Sequence, residues 1–249
     1  MIEIYGLILH RWRQEKIVTE ADIDRILHDF KVLFAYHSGK IENDKIDYRD
    51  TREVFENGGL SDFSGDARTL SEQKNQKDCY EFLKPKMAER EPLSLELIRR
   101  VHFELTKGTY DERSYETNQE RPGEFKKHNY MVGRYDVGSA VNKVEGELKE
   151  LVGELNSAAV NDTLTAATYF HGVFENIHPF ADGNGRAGRA LMNYYLMSCD
   201  HPPIVTREER RKEYYAALDA FHTKEDIEPL RTYLRSECVR TWAEPFILR

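Results

Sequence analysis

The stretch from Ile177 to Arg189 constrains this chain more than any other part of its sequence. It reads Ile-His-Pro-Phe-Ala-Asp-Gly-Asn-Gly-Arg-Ala-Gly-Arg. Apolar residues recur at helical spacing before the stretch and again after it. The stretch is therefore predicted to form a loop that opens onto the start of a helix. Unpaired backbone N–H groups and the positive end of the helix dipole favour an anion such as phosphate at that position.

Two side chains in this loop can take part in chemistry directly. The imidazole of His178 ordinarily titrates close to neutral pH, so it can accept a proton from a hydroxyl nucleophile. The carboxylate of Asp182 is a hard oxygen ligand, suited to Mg²⁺ (or Mn²⁺) that is shared with phosphate oxygens. The loop thus combines a candidate general base with a candidate metal ligand.

The residues that follow are suited to binding phosphate, and we call Gly183 to Arg186 the cradle. Gly183 and Gly185 can adopt backbone angles closed to other residues, which lets the chain approach an oxyanion closely. Asn184 can donate a side-chain amide hydrogen to a phosphate oxygen. Arg186 and Arg189 offer planar guanidinium groups that match phosphate, and their spacing of three places them on nearly the same helix face.

The pattern His-x-Phe-x-Asp-Gly-Asn-Gly-Arg-x-x-Arg fixes eight positions. Chance produces such a pattern roughly once in 10^10 starting positions, at about 1 in 20 for each residue type. The pattern matches completely the active-site motif of the Fic family, which this chain resembles. Most members of that family transfer AMP from ATP onto hydroxyl groups of proteins.

The resemblance implies an all-α Fic fold, a helical bundle with a small β-hairpin flap. It implies one domain over residues 1–249, with the core over about 90–240 and a helical segment over about 1–45. The catalytic residues would be His178, Asn184 and Arg186. The ATP-binding residues would include Asp182, Gly183, Asn184, Gly185, Arg186 and Arg189.

Composition argues against several other classes of protein. The net charge of −8 and the lack of a dense Lys/Arg run argue against a nucleic-acid-binding surface. Cys79, Cys199 and Cys238 are far apart, lack metal-ligand spacing and indicate a reducing compartment. No apolar run approaches the ~18 residues of a membrane span. We therefore expect a cytoplasmic protein that binds neither nucleic acid nor membrane.

Apolar periodicity and capping signals predict a mainly helical chain. A capping box at Thr19 begins a helix that is predicted to continue to about Asn43. The turn-rich residues 57–66 are predicted to form a loop. Further helices are predicted over about 68–88, 94–107, 141–158, 163–177, 190–197, 209–218 and 227–239.

The string from Ser38 to Asn43 ends the predicted N-terminal helix. It resembles the inhibitory Ser/Thr-x-x-x-Glu-Gly/Asn helix of the Fic family, which in one class lies before the core. The resemblance implies that Glu42 pairs with Arg189 and holds it away from the γ-phosphate of ATP. A sheltered carboxylate–guanidinium pair is directional as well as attractive, so this role is physically reasonable.

Residues 123–133 give the strongest β signal in the chain. In the Fic family a hairpin flap occupies this place, and an exposed strand edge can hold a target protein by main-chain pairing. The resemblance implies that the flap also touches the nucleotide through Tyr130, Met131, Val132 and Gly133. A helical tyrosine that lines the adenine pocket in the family corresponds to Tyr214. Where the family often has an asparagine further along, this chain reads Phe221-His222-Thr223, which leaves a second base contact unassigned.

The reaction implied by the resemblance is attack by a target hydroxyl on the α-phosphorus of ATP, with His178 removing the proton. Some family members with the inhibitory glutamate remove AMP instead, so Glu42 could position water for hydrolysis. A Fic-fold transferase using another nucleotide and a non-enzymatic binding protein are further alternatives. Gly185 and Arg186 argue against the phosphotransferase (Doc) branch. The sequence leaves open the target, self-modification and a homo-oligomer.

Overall fold

In the computed structural model of the chain, residues 3–60, 63, 65–132, 135–157 and 162–248 are described. Most of them are helical, so the prediction of an all-α fold is confirmed. The helices of this described part are α1 (Ile4–Gln14), α2 (Glu20–Ile26), α3 (Phe30–Glu42), α4 (Tyr48–Asn57), α5 (Ala67–Glu89), α6 (Leu95–Thr106), α7 (Val141–Ser157), α8 (Thr163–Ile177), α9 (Asn184–Ser198), α10 (Arg211–Lys224) and α11 (Glu228–Ala243).

Helix α9 lies at the centre of the fold. Almost every residue along it is buried, and α3, α5, α6 and α8 all pack against it. A helix that is enclosed on all sides forms the core of its domain rather than one wall of it. The two arginines of the motif, Arg186 and Arg189, belong to this helix and are therefore held inside the protein.

The predicted helix over 19–43 is wrong in one respect, because the chain breaks it into α2 and α3. The break falls at Leu27–Asp29, where Leu27 adopts a non-helical ψ of 14°. Backbone bonds from Leu27 N–H to Ile23 C=O (2.9 Å) and from Lys31 N–H to Leu27 C=O (3.0 Å) continue across it. The apolar spacing therefore stays in phase through the break, which is why periodicity alone did not reveal it.

Two helices were not predicted. α1 lies in a stretch that gave no clear pattern, but its Trp12 packs edge-on against Trp242 of α11, with ring centroids 5.0 Å apart. α4 begins at Asp47, whose carboxylate accepts the N–H of Arg49 at 2.8 Å, and it ends at Gly58 in the left-handed conformation. α1 thus packs against α11, whereas α4 packs against α3 and α5.

Two short strands are the β structure among the described residues. β1 (Tyr130–Val132) and β2 (Tyr135–Val137) pair antiparallel, with Tyr130 opposite Val137 and Val132 opposite Tyr135. The predictions for Gly133, and for the side chains of Met131 and Val132, lie outside what the structure describes.

None of the helices in the described ranges combines the length and the apolar character that crossing a bilayer requires.

The stabilising effect of the N-terminal cap of α6 can be tested by substitution of Ser94. Ser94 Oγ accepts the N–H of Leu97 at 3.1 Å at the start of this helix. Ser94→Ala should lower the free energy of unfolding by about 1 kcal/mol, because that N–H loses its acceptor, whereas Ser94→Asp should retain the cap. Urea denaturation would measure both. Equal stability of Ser94→Ala and the unsubstituted chain would contradict the assignment.

Candidate active site

The loop between α8 and α9 reverses the chain at two left-handed residues. α8 ends at His178, which has a φ of 49° and donates its N–H to the carbonyl of Phe174 at 3.0 Å. α9 begins after Gly183, which has a φ of 79°. A Cβ at Gly183 would overlap the side chain of Thr106 on α6, so glycine is required there for space as well as for conformation. The imidazole and the start of α9 thus belong to one tight loop.

Asn184 closes this loop from inside. Its Nδ2 donates to the carbonyl of Phe180 at 2.8 Å, and its Oδ1 accepts the N–H of Phe180 at 2.9 Å. The side chain is buried. The structure gives this side chain a role in fixing the loop backbone, and donation of its second amide hydrogen to a phosphate oxygen stays a prediction. The geometry therefore gives Asn184 a part in shaping the cradle.

His102, which was assigned no role from the sequence pattern, supports the loop. Its Nε2–H donates to the carbonyl of Asp182 at 2.8 Å, and its Nδ1 accepts the N–H of Gly123 at 2.9 Å. The ring is stacked on Phe180, with centroids 3.6 Å apart and planes within 2°. Burial lowers the pKa of His102 to about 3, so the ring is neutral and can use both nitrogens in this way. His102 therefore joins α6, the segment before β1 and the loop.

The surroundings of the His178 imidazole favour its neutral form. Burial, together with the neighbouring Lys126 ammonium, lowers the pKa of His178 to about 4. A hydrogen bond between the ring and the backbone carbonyl of Glu175 opposes that shift. It also leaves the other ring nitrogen available to accept a proton. A general base requires such a nitrogen, and this role of His178 stays a prediction.

The structure brings Arg189 together with Glu42, the pairing that the resemblance implies, and also with Ser38, which was not predicted to contact it. The guanidinium is 1% exposed. Its Nε donates to Ser38 Oγ at 3.1 Å, and its Nη2 donates to the carbonyl of Ser38 at 2.9 Å and to Glu42 Oε1 at 2.8 Å. A buried guanidinium without an anion would be strongly destabilising. The end of α3 therefore supplies the partner that Arg189 requires.

Glu42 also covers the first turn of α9. A Cβ added to Gly185 would overlap its carboxylate. Glu42 thus places a negative charge against the N-terminus of α9, where the sequence predicts a phosphate. About a third of the Glu42 side chain is exposed, whereas Arg189 is enclosed.

Arg186 is paired with α5. Its Nη1 lies 3.2 Å from Glu72 Oε1, and its Nη2 lies 3.7 Å from Asp182 Oδ1. Within the described residues, its Nε and Nη1 groups are buried without a hydrogen-bond partner. Buried donors of this kind are costly, and a phosphate oxygen would satisfy them. The fit of an anion to this arginine is therefore good.

Asp182 is a candidate metal ligand with limited support from other residues. In the described part of the chain, no three His, Cys, Asp or Glu side chains are grouped as metal ligands. Mg²⁺ is commonly bound by one or two carboxylates together with phosphates and water, which Asp182 can satisfy. Its Oδ2 accepts a hydrogen bond from Arg68 Nη2 at 2.7 Å, and its Oδ1 accepts the N–H of Gly183 at 2.6 Å.

Tyr214 is enclosed rather than presented to a cleft. It is 1% exposed, and its hydroxyl lies 2.7 Å from His171 Nε2. The guanidinium of Arg189 lies over its ring at 5.9 Å. The next residue, Tyr215, is 46% exposed and so offers the accessible ring at the start of α10.

Asn43 completes the contacts between α3 and α5. Its Nδ2 donates to Glu72 Oε2 at 2.6 Å and to Thr69 Oγ1 at 3.1 Å. A polar cavity of about 280 Å³ lies beside these groups, and Glu42, Asn43, Arg68, Glu72, Asp182 and Arg186 are among its lining residues. The predicted regulatory, metal-binding and phosphate-binding residues thus meet around one cavity.

The support from His102 can be tested without nucleotide. His102→Phe keeps a ring against Phe180 but leaves the carbonyl of Asp182 and the N–H of Gly123 without partners. The free energy of unfolding should fall by about 2–4 kcal/mol, and amide hydrogen exchange of residues 180–184 should accelerate. His201→Phe, another buried histidine with two hydrogen bonds, is the matched control. Equal loop exchange in the two variants would contradict this role.

Comparison with known proteins connects this loop with one family. The Fic/DOC family model matches residues 92–196. The protein adenylyltransferase fic-1 of Caenorhabditis elegans is 28% identical over 214 residues, which are 84% of this chain and 40% of that protein. The protein adenylyltransferase Fic of Aedes aegypti is 31% identical over 125 residues, 48% of this chain and 24% of that protein. The chain thus spans 40% or less of the length of these relatives.

Solved structures share the fold. A Fic-domain-containing signalling protein from Bacteroides thetaiotaomicron superposes with a TM-score of 0.80 at 23% identity, covering 96% of this chain and 94% of that one. Residues 134–508 of C. elegans Fic-1 superpose with a TM-score of 0.76 at 22% identity, covering 96% and 70%. The residues that the Fic/DOC family model matches, 92–196, include the whole loop from His178 to Arg189.

Proposed function

We propose that this chain is an autoinhibited protein adenylyltransferase. It transfers AMP from ATP to a Ser, Thr or Tyr hydroxyl of a target protein and releases pyrophosphate. The observation that carries the proposal is the position of His178, at the head of the tight loop that leads into the cradle, where a buried Arg186 has N–H donors without hydrogen bonds. The names of the relatives from C. elegans and A. aegypti support the same activity.

The proposed reaction moves one proton and exchanges one bond at phosphorus. The target hydroxyl donates its proton to His178 as its oxygen attacks the α-phosphorus. A new phosphorus–oxygen bond forms, and the bond from the α-phosphorus to the bridging oxygen breaks, so pyrophosphate leaves. General-base assistance of this kind contributes about 10²–10⁴ in rate.

The residues around the cradle would stabilise the charge on the phosphates. The backbone N–H groups at the start of α9 and the guanidinium of Arg186 face the space where the phosphates would lie. Asp182 would hold a divalent cation that neutralises charge on the phosphate oxygens. Arg189 would bind the γ-phosphate once Glu42 has left it.

The same contacts explain how the chain would be inhibited. Glu42 engages the guanidinium that the γ-phosphate needs and covers the first turn of α9. A nucleotide could enter only by displacing this carboxylate or by binding with its phosphates elsewhere. In the second case the α-phosphorus would not be in line with the hydroxyl, and transfer would be slow.

The strands are proposed to act as the flap that holds the target. Both ends of the hairpin segment are bonded to the active-site loop. Lys126 N–H donates to the carbonyl of Pro179 at 2.9 Å, and Ser139 N–H donates to the carbonyl of Ile177 at 2.9 Å. A target segment paired with this hairpin would therefore run beside His178, and main-chain pairing would allow varied target sequences.

The activity and its inhibition can be tested with ATP labelled at the α-phosphate. Glu42→Gly should increase covalent label on protein at least about tenfold, because it frees Arg189 for phosphate. In the chain that carries Glu42→Gly, the further substitution His178→Ala should lower the labelling rate by about 10²-fold or more. Glu89→Gly, which changes the last residue of α5 in the same way that Glu42→Gly changes the last residue of α3, is the matched control.

The outcomes separate the proposal from its alternatives. Release of AMP from a labelled target, lost in Glu42→Gly, would favour hydrolysis positioned by Glu42. Absence of label in every variant, with label transferred from another nucleotide instead, would overturn the choice of ATP. Equal labelling by Glu42→Gly and Glu89→Gly would overturn the inhibitory role.

The protonation state of His178 predicts a pH dependence. Burial lowers the pKa of His178 from 6.5 to about 4, so the base stays unprotonated at pH values where a solvated imidazole is charged. The kcat/KM of Glu42→Gly should therefore fall only well below pH 6.5. A pH–rate profile would measure this, with circular dichroism as the control for unfolding. A midpoint at or above 6.5 would contradict the desolvated environment.

A further inference from the structure

The carboxylate of Asp182 already has a cationic partner. Its inner oxygen, Oδ1, accepts the N–H of Gly183 at 2.6 Å and faces Arg186. Its outer oxygen, Oδ2, accepts a hydrogen bond from Arg68 Nη2 at 2.7 Å. A carboxylate oxygen that already accepts a backbone N–H has less capacity for a metal, so we expect a divalent cation to bind Asp182 through the outer oxygen. Arg68 therefore occupies the oxygen that a metal would use first.

Arg68 is placed there by α5 and not by the motif. It follows Asp66, which caps α5 by accepting the N–H of Thr69 at 2.9 Å. Its Nε donates to Glu72 Oε1 at 3.1 Å, one turn further along the same helix. Glu72 is itself 4% exposed and is held by Arg186 and Asn43. The guanidinium is thus fixed at two points, one on a rigid buried carboxylate and one on Asp182.

The contact with Asp182 is the more solvent-exposed of the two attachments. About half of the Arg68 side chain is exposed, and about 41% of Asp182 is exposed, so solvent screens their attraction. The side chain has open space into which it can move, because it also lines the cavity of about 280 Å³. Arg68 can therefore leave Asp182 while its bond to Glu72 remains.

Charge around the cavity is balanced without any ligand. Three carboxylates (Asp182, Glu72 and Glu42) are paired with three guanidiniums (Arg68, Arg186 and Arg189). A divalent cation that enters alone would place excess positive charge beside Arg68. A cation that enters together with a polyphosphate brings negative charge with it, and this charge offsets the repulsion between the cation and Arg68.

We infer that Arg68 is a displaceable internal counter-cation of Asp182, which a divalent cation must replace in order to bind. The inference rests on the proposed function, since it assumes that Asp182 holds the metal of a nucleotide complex. Arg68 therefore lowers the affinity of the site for free metal ions. As a result, the site favours a metal ion that is already bound to a nucleotide over a free metal ion.

The test is direct binding of Mn²⁺, measured by electron paramagnetic resonance. The purified chain carries Glu42→Gly, and binding is measured with and without a non-hydrolysable ATP analogue. Arg68→Gln should tighten Mn²⁺ binding about two- to fivefold, the range that a partly exposed ion pair is worth, with the larger effect in the absence of nucleotide. Arg52→Gln, which removes an exposed arginine paired with Glu56 on α4, should leave the affinity unchanged.

A double-mutant cycle separates replacement at Asp182 from a general effect of charge. With Asp182→Asn, the outer oxygen no longer binds the cation strongly, and Arg68→Gln should have little further effect. If Arg68→Gln tightens Mn²⁺ binding equally in that background, the effect is long-range and the inference is wrong. Thermal denaturation of each variant confirms that the fold is retained.

Two other outcomes would overturn the inference. Unchanged Mn²⁺ affinity would show that Arg68 and the metal occupy Asp182 together. Weaker binding of the metal–nucleotide complex in Arg68→Gln would show that Arg68 contacts the phosphates instead. Because the readout is binding, failure of the proposed transfer activity would appear separately, as absence of label in the Glu42→Gly chain.

Discussion

The buried guanidinium of Arg189 is the constraint on which the rest of the site depends. It belongs to a helix that is enclosed on all sides, so its charge requires an anion inside the protein. In this structure the carboxylate of Glu42 and the oxygens of Ser38 meet that requirement. The proposed nucleotide would offer phosphate oxygens to the same donors. The proposed inhibition would then be a competition between two anions for one buried cation, and whatever moves the end of α3 would decide the outcome.

The machinery for the proposed chemistry and its charge-balancing partners come from different parts of the chain. The base, the cradle and the short strands lie within residues 92–196, which the family model matches. Glu42, Arg68 and Glu72 lie on α3 and α5, before that region. The first part is held rigidly by backbone bonds and by His102, whereas the second contributes ion pairs that can exchange. This division allows regulation to change through the N-terminal helices while the geometry around His178 stays the same.

Much of the fold and of the site could be predicted from the sequence, because local signals determine both. Periodicity and caps located most helices, and the motif located His178, the cradle and Arg189. The roles of His102 and Glu72 could not be predicted, since each acts through contacts with residues distant in sequence. The sequence of α5 carries one sign of such contacts, because its first half has polar residues at the positions that are buried in the structure. A buried polar face requires partners, but the sequence does not say which.

The ion pairs around the cavity imply that ligands bind by replacement. Arg68 is paired with Asp182, and Glu42 is paired with Arg189. Because these charges are already balanced, a metal–nucleotide complex gains little binding free energy from its charge alone. It gains by offering each group a better-oriented partner. Arg186 differs, because among the described residues its buried Nε and Nη1 groups have no hydrogen-bond partner, although Nη1 lies 3.2 Å from Glu72 Oε1. A phosphate oxygen would satisfy these donors. We therefore expect Arg186 to supply net affinity, whereas Arg68 and Arg189 determine which form of the ligand is accepted and when.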